Sequence, residues 1–131
     1  MTINRRRGTA IVQTSQGILI ASGKHKVFLL PGGKAESWES RKQATIRELK
    51  EETNLTATSC KFLFSYNEPK YTDQGDPMKI RNFHKVFLIK TIGNAKPNHH
   101  DVSYINYWTP ETQINISKST QLIINKFLSM S

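Results

Sequence analysis

Apolar residues fall in short runs separated by polar, glycine- or proline-bearing stretches, the pattern of strands and turns. Arg7 to Gln13, with Ile11 and Val12, predicts a first strand, and Gly17-Ile18-Leu19-Ile20-Ala21 a second, joined by a turn. Ser22 to His25 is another turn. Lys26-Val27-Phe28-Leu29-Leu30 predicts a third strand that ends at Pro31. Cys60 to Tyr66 alternates enough for a half-buried strand. Asn67 to Lys79 is polar and holds Pro69, Gly75 and Pro77, which predicts a loop or long hairpin tip. Ile80 to Thr91 is the longest strand pattern, with Phe83, Val86, Phe87, Leu88 and Ile89. Gly93 to Asp101 reads as a second loop, and Tyr104 to Trp108 as a last short strand. Beyond Pro110, Ser117 or Ser119 can cap a C-terminal helix that turns Leu122, Ile123, Ile124, Phe127 and Leu128 inward.

One stretch breaks the strand rhythm. From roughly Glu39 to Thr53 the chain predicts a helix, with Ser37 or Ser40 as its cap and Glu36 and Glu39 near its positive end. Strands then a helix, twice over, predict a mixed α/β layered domain, and no linker or repeat divides residues 1–131.

The far end of that helix is poorly chosen for stability. Glu48, Glu51 and Glu52 crowd toward the C-terminus, where the dipole disfavours anions. With Arg47 as the zero of a wheel of about 100° per residue, Glu51 falls at about 40°, Glu48 at about 100° and Glu52 at about 140°. Arg47 can offset one carboxylate on this reading, and not three. Leu49 and Ile46, at about 200° and about 260°, form the apolar face. Ala44, at about 60°, leaves room beside the acids. A hard, oxygen-seeking cation such as Mg²⁺ is the natural missing partner. A solvated acidic face with an i,i+4 Arg47–Glu51 pair would carry the same residues.

The glycines ahead of the helix decide between these readings. Gly33, Glu39, Arg47, Glu48, Leu49, Glu51, Glu52 and Leu55 stand in register with the Nudix box, G-x5-E-x7-R-E-U-x-E-E-x-G-U, where U is bulky and apolar. Eight of nine fixed positions over 23 residues match. Asn54 stands where the family has glycine; it is the residue next most tolerant of a left-handed helix stop. The chain therefore resembles the Nudix hydrolases. The resemblance implies an α/β/α sandwich with a mixed β-sheet between helices. It implies Mg²⁺, with Mn²⁺ as a substitute, bound by Glu51 and Glu52, with Glu48 as a further ligand or part of the base. The carbonyl of Gly32 would complete the shell. Arg47 would orient the acids, with Glu39 as its structural partner. Relatives often recruit another acid from a loop before the last strand, and Asp101, beside His99 and His100, is the candidate. Glu68, Asp73 and Asp76 are weaker ones.

Substrate contacts are less legible. Phe28, Tyr66, Tyr71 or Phe83 could stack on a base, although Phe28 and Phe83 also read as simple core. Trp38, where many relatives carry glycine, could wall the pocket or pack on Glu39. Lys34, Arg81 and Lys85 are candidate phosphate contacts.

Composition adds a partner class and a compartment. The net charge of +9 favours anions such as nucleotides, polyphosphates or RNA. Acids concentrate in the box while bases are spread elsewhere, which suits metal on the acids and phosphate on the bases. Cys60 is the one cysteine, so no internal disulfide forms, and it reads as a small apolar strand residue. Arg5-Arg6-Arg7 could open a signal peptide, but Gln13 to Gln16 interrupts the apolar run that should follow. No segment approaches the roughly 18 apolar residues of a membrane span. The expectation is a cytoplasmic, Mg²⁺-dependent pyrophosphohydrolase cleaving a diphosphate linkage in a nucleoside diphosphate derivative. A nucleoside triphosphate or modified nucleotide is the first substrate. The alternatives are an RNA 5′-end or dinucleoside polyphosphate pyrophosphohydrolase, or a non-catalytic nucleotide or RNA sensor. The oligomeric state is not legible.

Overall fold

The structure is a computed structural model and describes residues 2–69, 79–99 and 101–130. Strands β1 (Thr2–Ile11), β2 (Gln13–Thr14), β3 (Gly17–Ser22) and β4 (Gly32–Lys34) precede helix α1 (Arg41–Thr53). Strands β5 (Thr56–Asn67), β6 (Lys79–Ile92) and β7 (Tyr104–Trp108) lead to helix α2 (Lys118–Leu128). One mixed sheet has the order β4-β1-β6-β5, with β1 and β6 parallel and the other pairs antiparallel. A second, antiparallel sheet has the order β2-β3-β7.

Alternation along the strands feeds two cores, one per face. Ile11, Ile18, Ile20, Phe64 and Val86 join Ile123 and Ile124 of α2. Ala10, Val12, Leu19, Phe87 and Ile89 join Leu49 of α1. Strands covered on both faces need continuous apolar runs, which is why Ile11-Val12 and Ile18-Leu19-Ile20 lack a polar alternate. The layers are therefore helix, sheet, helix.

Several boundaries differ from the sequence expectation. β1 begins earlier, at Thr2, because its parallel register with β6 carries Arg5-Arg6-Arg7 into the sheet. β5 likewise begins early, at Thr56. Lys26 to Leu30 is not a strand: it makes only isolated bridges, Ala21 with Leu29 and Phe28 with Ile116. The sheet edge is instead taken by β4, Gly32–Lys34, on β1. In α2 Ile123 and Ile124 are buried, but Leu122 and Leu128 are exposed and Phe127 is half-buried. The 67–79 loop falls mostly outside the described residues, as do Tyr71, Asp73, Asp76 and His100.

Helix α1 starts and stops by local chemistry. Ser40, not Ser37, is the N-cap, and its hydroxyl accepts from the Gln43 N–H while the Gln43 side chain accepts from the Ser40 N–H. Asn54 ends the helix at φ 67°, and its N–H donates to the Lys50 carbonyl at 3.0 Å. Its left-handed conformation is what the substituted box glycine requires. Asn54→Gly should consequently change unfolding free energy by less than about 1 kcal/mol in a urea titration. A loss above about 2 kcal/mol would assign the Asn side chain a stabilising role of its own.

The buried face of α1 is Ala44, Thr45, Leu49 and Thr53, with Ile46 only half-buried. Ala44 is fully buried against the sheet, so it does not leave the gap beside the acids that the wheel suggested. The buried residues of this face flank the position of Glu52 on the helix, between Leu49 and Thr45 on one side and Ala44 on the other. Glu52 is drawn toward the sheet with them.

Candidate active site

Two glycines let the chain between β1 and α1 pass close to the acids. Gly32 sits at φ 148°, and a Cβ there would lie 2.1 Å from the Gly8 carbonyl oxygen. Glycine is required on both counts. A Cβ on Gly33 would lie 2.5 Å from Cδ of Glu48, so β4 and the Glu48 side chain touch. That contact is with a flexible side-chain end and not with backbone. Gly33→Ala should therefore fold, with a melting temperature within a few degrees of the parent, while displacing Glu48. Turnover should fall at least tenfold; unchanged turnover would show that the position of Glu48 does not matter.

Arg47 is the hub of the acids. Nε and Nη2 grip the Glu39 carboxylate at 2.8 and 2.9 Å. Nη1 reaches Glu48 Oε1 at 2.9 Å and Glu51 Oε2 at 3.3 Å, and Nη2 also donates to the Lys34 carbonyl. Besides Glu39, its expected partner, the guanidinium thus reaches two of the three helix acids where the sequence reading allowed it one, and it does not pair with Glu52. Hydrogen bonds from Arg47 to Glu39, against the opposing effect of burial, raise the Arg47 pKa further above its already high value. The Arg47 guanidinium in turn holds Glu39 at about 2.

Glu52 stands apart from that cluster. Its Oε1 accepts from the Gly32 N–H at 2.9 Å. Burial pushes its carboxyl up to about 7; the Gly32 N–H opposes this, and Glu48 adds to it. It lines a cavity of about 190 Å³ with Arg7, Ser22, Leu30 and Asp101. The loop before β7 therefore brings Asp101, 75% exposed at its side chain, to the Glu52 side of the molecule.

The remaining candidates divide. Phe28 is 6% exposed in the core over α2 and is not a stacking surface. Trp38 is 81% exposed and lines neither of the cavities beside the box. The Lys34 side chain is exposed, and its backbone oxygen serves Arg47. Arg81 Nε donates to the Glu68 carbonyl at 2.7 Å, and its guanidinium covers the Phe83 ring. Lys85 lies over Phe62.

A second polar cluster was not anticipated beyond Glu68. His84 Nε2 meets Glu68 Oε2 at 2.9 Å, and Nδ1 meets the Thr9 hydroxyl at 2.8 Å. Asn82 donates to Glu68 Oε1 at 2.9 Å and accepts from Arg5 Nε at 3.1 Å. Burial raises the Glu68 pKa, but the His84 and Asn82 hydrogen bonds outweigh it and hold the carboxyl below its usual range. The available signal was a strand phase, Asn82-His84-Val86-Leu88, that is polar at one end.

Among the described residues no three His, Cys, Asp or Glu side chains converge in this conformation as a metal cage. The donor chemistry still fits a hard cation. The acids offer only carboxylate oxygens, and the one guanidinium pairing them does not touch Glu52. The Glu51 side chain is 45% exposed and meets Arg47 through one contact of 3.3 Å, so turning it costs little.

A mixed α/β domain with glycines and a carboxylate helix at the mouth of a small cavity defines the Nudix architecture. The NUDIX domain profile matches residues 3–127, and the chain belongs to the Nudix family. It is 32% identical over 87 residues to an ADP-ribose pyrophosphatase of Methanocaldococcus jannaschii. That match covers 63% of this chain and 48% of the relative, so the chain spans about half that relative's length. A Chromobacterium violaceum protein provisionally placed in the nudix hydrolase family has a crystal structure similar over 95% of this chain and 77% of its own. The TM-score is 0.77 and the identity 32%. The MutT protein of Methanosarcina mazei Go1 shares the fold alone, with a TM-score of 0.80 at 16% identity over 98% and 96% of the two chains. No helix among the described residues is long and apolar enough to cross a membrane.

Proposed function

We propose that this chain is a divalent-cation-dependent pyrophosphohydrolase that cleaves the diphosphate linkage of a nucleoside diphosphate derivative. The observation that carries this reading is Glu52. A carboxyl at the lip of a cavity, drawn into the helix–sheet contact beside Glu48 and Glu51, is costly for a fold and useful for metal chemistry. Glu48, Glu51 and Glu52, with the Gly32 carbonyl, are the residues that would hold Mg²⁺ or Mn²⁺. Asp101, which lines the same cavity as Glu52, would be a further ligand. The cation, when bound, neutralises phosphate oxygens and lowers the pKa of a coordinated water. Arg47 holds the Glu48 and Glu51 carboxylates in place by hydrogen bonds.

Among substrates, the nucleoside diphosphate linked to a second moiety gains weight from the archaeal relative, which is named for ADP-ribose. Nucleoside triphosphates and modified nucleotides remain in the same class, since all present a diphosphate to the same acids. A panel of ADP-ribose, nucleoside triphosphates, a dinucleoside polyphosphate and 5′-triphosphorylated RNA tests the reading. With Mg²⁺, at least one small nucleotide should release a monophosphate product or pyrophosphate, and chelation should abolish it. Cleavage of RNA ends alone would replace the substrate class.

A further inference from the structure

Parallel register places Arg5, Arg7, Thr9 and Ile11 of β1 beside Asn82, His84, Val86 and Leu88 of β6 on one sheet face. The Ile11, Val86, Leu88 end of that face is the core over α2. The other end is polar, and most of it is tied down. His84 is held between Thr9 and Glu68, and Asn82 between Arg5 and Glu68. Arg7 is the exception. Among the described residues its guanidinium makes no hydrogen bond and no ion pair, although burial disfavours its charge and lowers its pKa. Glu52 and Glu68 attract it from a distance without closing to contact.

Arg7 stands where two cavities meet. One, of about 190 Å³, holds Glu52 and Asp101; the other, of about 170 Å³, holds Asn82, His84 and Glu68. Arg7 is half-buried, and its unpaired guanidinium opens on the cavities it lines, where a ligand can supply the missing charge. Its planar fork of donors matches phosphate oxygens bidentately. Arg5, one strand pleat away, is already committed to Asn82.

We infer that Arg7 clamps the diphosphate of the substrate at the junction of these cavities. One phosphate then faces Glu52, and the group beyond the diphosphate enters the cavity lined by Asn82, His84 and Glu68. This rests on the reading of the site as a diphosphate hydrolase, and its test does not need turnover.

Calorimetric titration of inorganic pyrophosphate, with Mg²⁺ and with a chelator, reads the clamp. Arg7→Gln should weaken binding at least tenfold, and Arg7→Lys should fall between it and the parent. Lys90→Gln removes one exposed positive charge elsewhere on β6 and should stay within twofold of the parent. Because Arg7 has no partner among the described residues, Arg7→Gln should melt at or above the parent temperature. Equal weakening in Arg7→Gln and Lys90→Gln would reduce the effect to net charge and overturn the assignment. So would an unimpaired Arg7→Gln, or a parent that does not bind pyrophosphate. A parent that binds through Arg7 yet hydrolyses nothing would leave the clamp standing and defeat the proposed activity instead.

Discussion

Glu52→Gln should lose at least two orders of magnitude of Mg²⁺-dependent turnover while its metal-free form melts no lower than the parent at pH 8. The activity loss corresponds to about 3 kcal/mol of transition-state stabilisation. The stability side follows from the Glu52 carboxyl, which titrates at about 7 when folded against 4.5 as its ordinary value. Between those values the folded protein retains a proton that the unfolded chain has released. This group's contribution to stability therefore falls as pH rises from about 4.5 to about 7, and is flat above. The slope amounts to no more than about 3 kcal/mol. Gln has no such slope. Its amide oxygen still accepts from the Gly32 N–H, and only the charge assistance of that bond is lost, about 1–2 kcal/mol. The net expectation above pH 7 is a variant level with the parent or about 1 kcal/mol more stable, a rise of up to a few degrees. Mg²⁺ should then raise the melting temperature of the parent more than that of the variant. Unchanged turnover in Glu52→Gln would remove Glu52 from the metal site.

Arg47→Met should be the most destabilising single change among the charged residues of the box. Met matches the bulk of the stem but leaves Glu39, whose side chain is only 10% exposed, without its bidentate partner. Removing one member of such a pair costs about 3 kcal/mol, or roughly 10 °C in this size range. Glu48 and Glu51 lose the same anchor, so turnover falls as well. Acid provides the diagnostic. The Glu39 carboxyl is held at about 2, below its ordinary value of 4.5. Its contribution is present above about pH 4.5 and is lost as pH falls toward 2, so the gap between parent and Arg47→Met should narrow over that window. Arg47→Lys should recover only part of the loss, because an ammonium cannot grip both oxygens of Glu39 while reaching Glu48. A gap independent of pH would locate the cost in packing.

The helix and its stop were legible because they rest on local chemistry. Ser40 with Gln43, and Asn54 at the glycine position, act within a few residues of themselves. The unbroken apolar runs Ile18-Leu19-Ile20 and Val86-Phe87-Leu88-Ile89 announced strands, and the structure covers both on two sides. Lys26 to Leu30 looked like a strand because of its apolar run, of which Phe28 and Leu30 are buried while Val27 and Leu29 are exposed, but its backbone makes only isolated bridges. β1 was cut short because Arg5-Arg6-Arg7 is unlike a strand, and only the long-range pairing with β6 makes it one. In the site, the box acids were readable by spacing. Arg7, His84 and Asn82 were not, because their meeting depends on the register of two strands that lie far apart in sequence. Phe28, which read both as a stacking ring and as core, is core, and Trp38 is exposed: aromatic character alone does not say whether a ring lies in solvent, in a core or in a pocket.

If the α1 acids serve cleavage of a diphosphate linkage, phosphorus NMR of the parent with ADP-ribose and with nucleoside triphosphates, in Mg²⁺ and then in chelator, shows it. At least one diphosphate resonance should be replaced by monophosphate or pyrophosphate signals in Mg²⁺ and persist unchanged in chelator. A folded protein that leaves every diphosphate intact in Mg²⁺, or cleaves as fast in chelator, would contradict it.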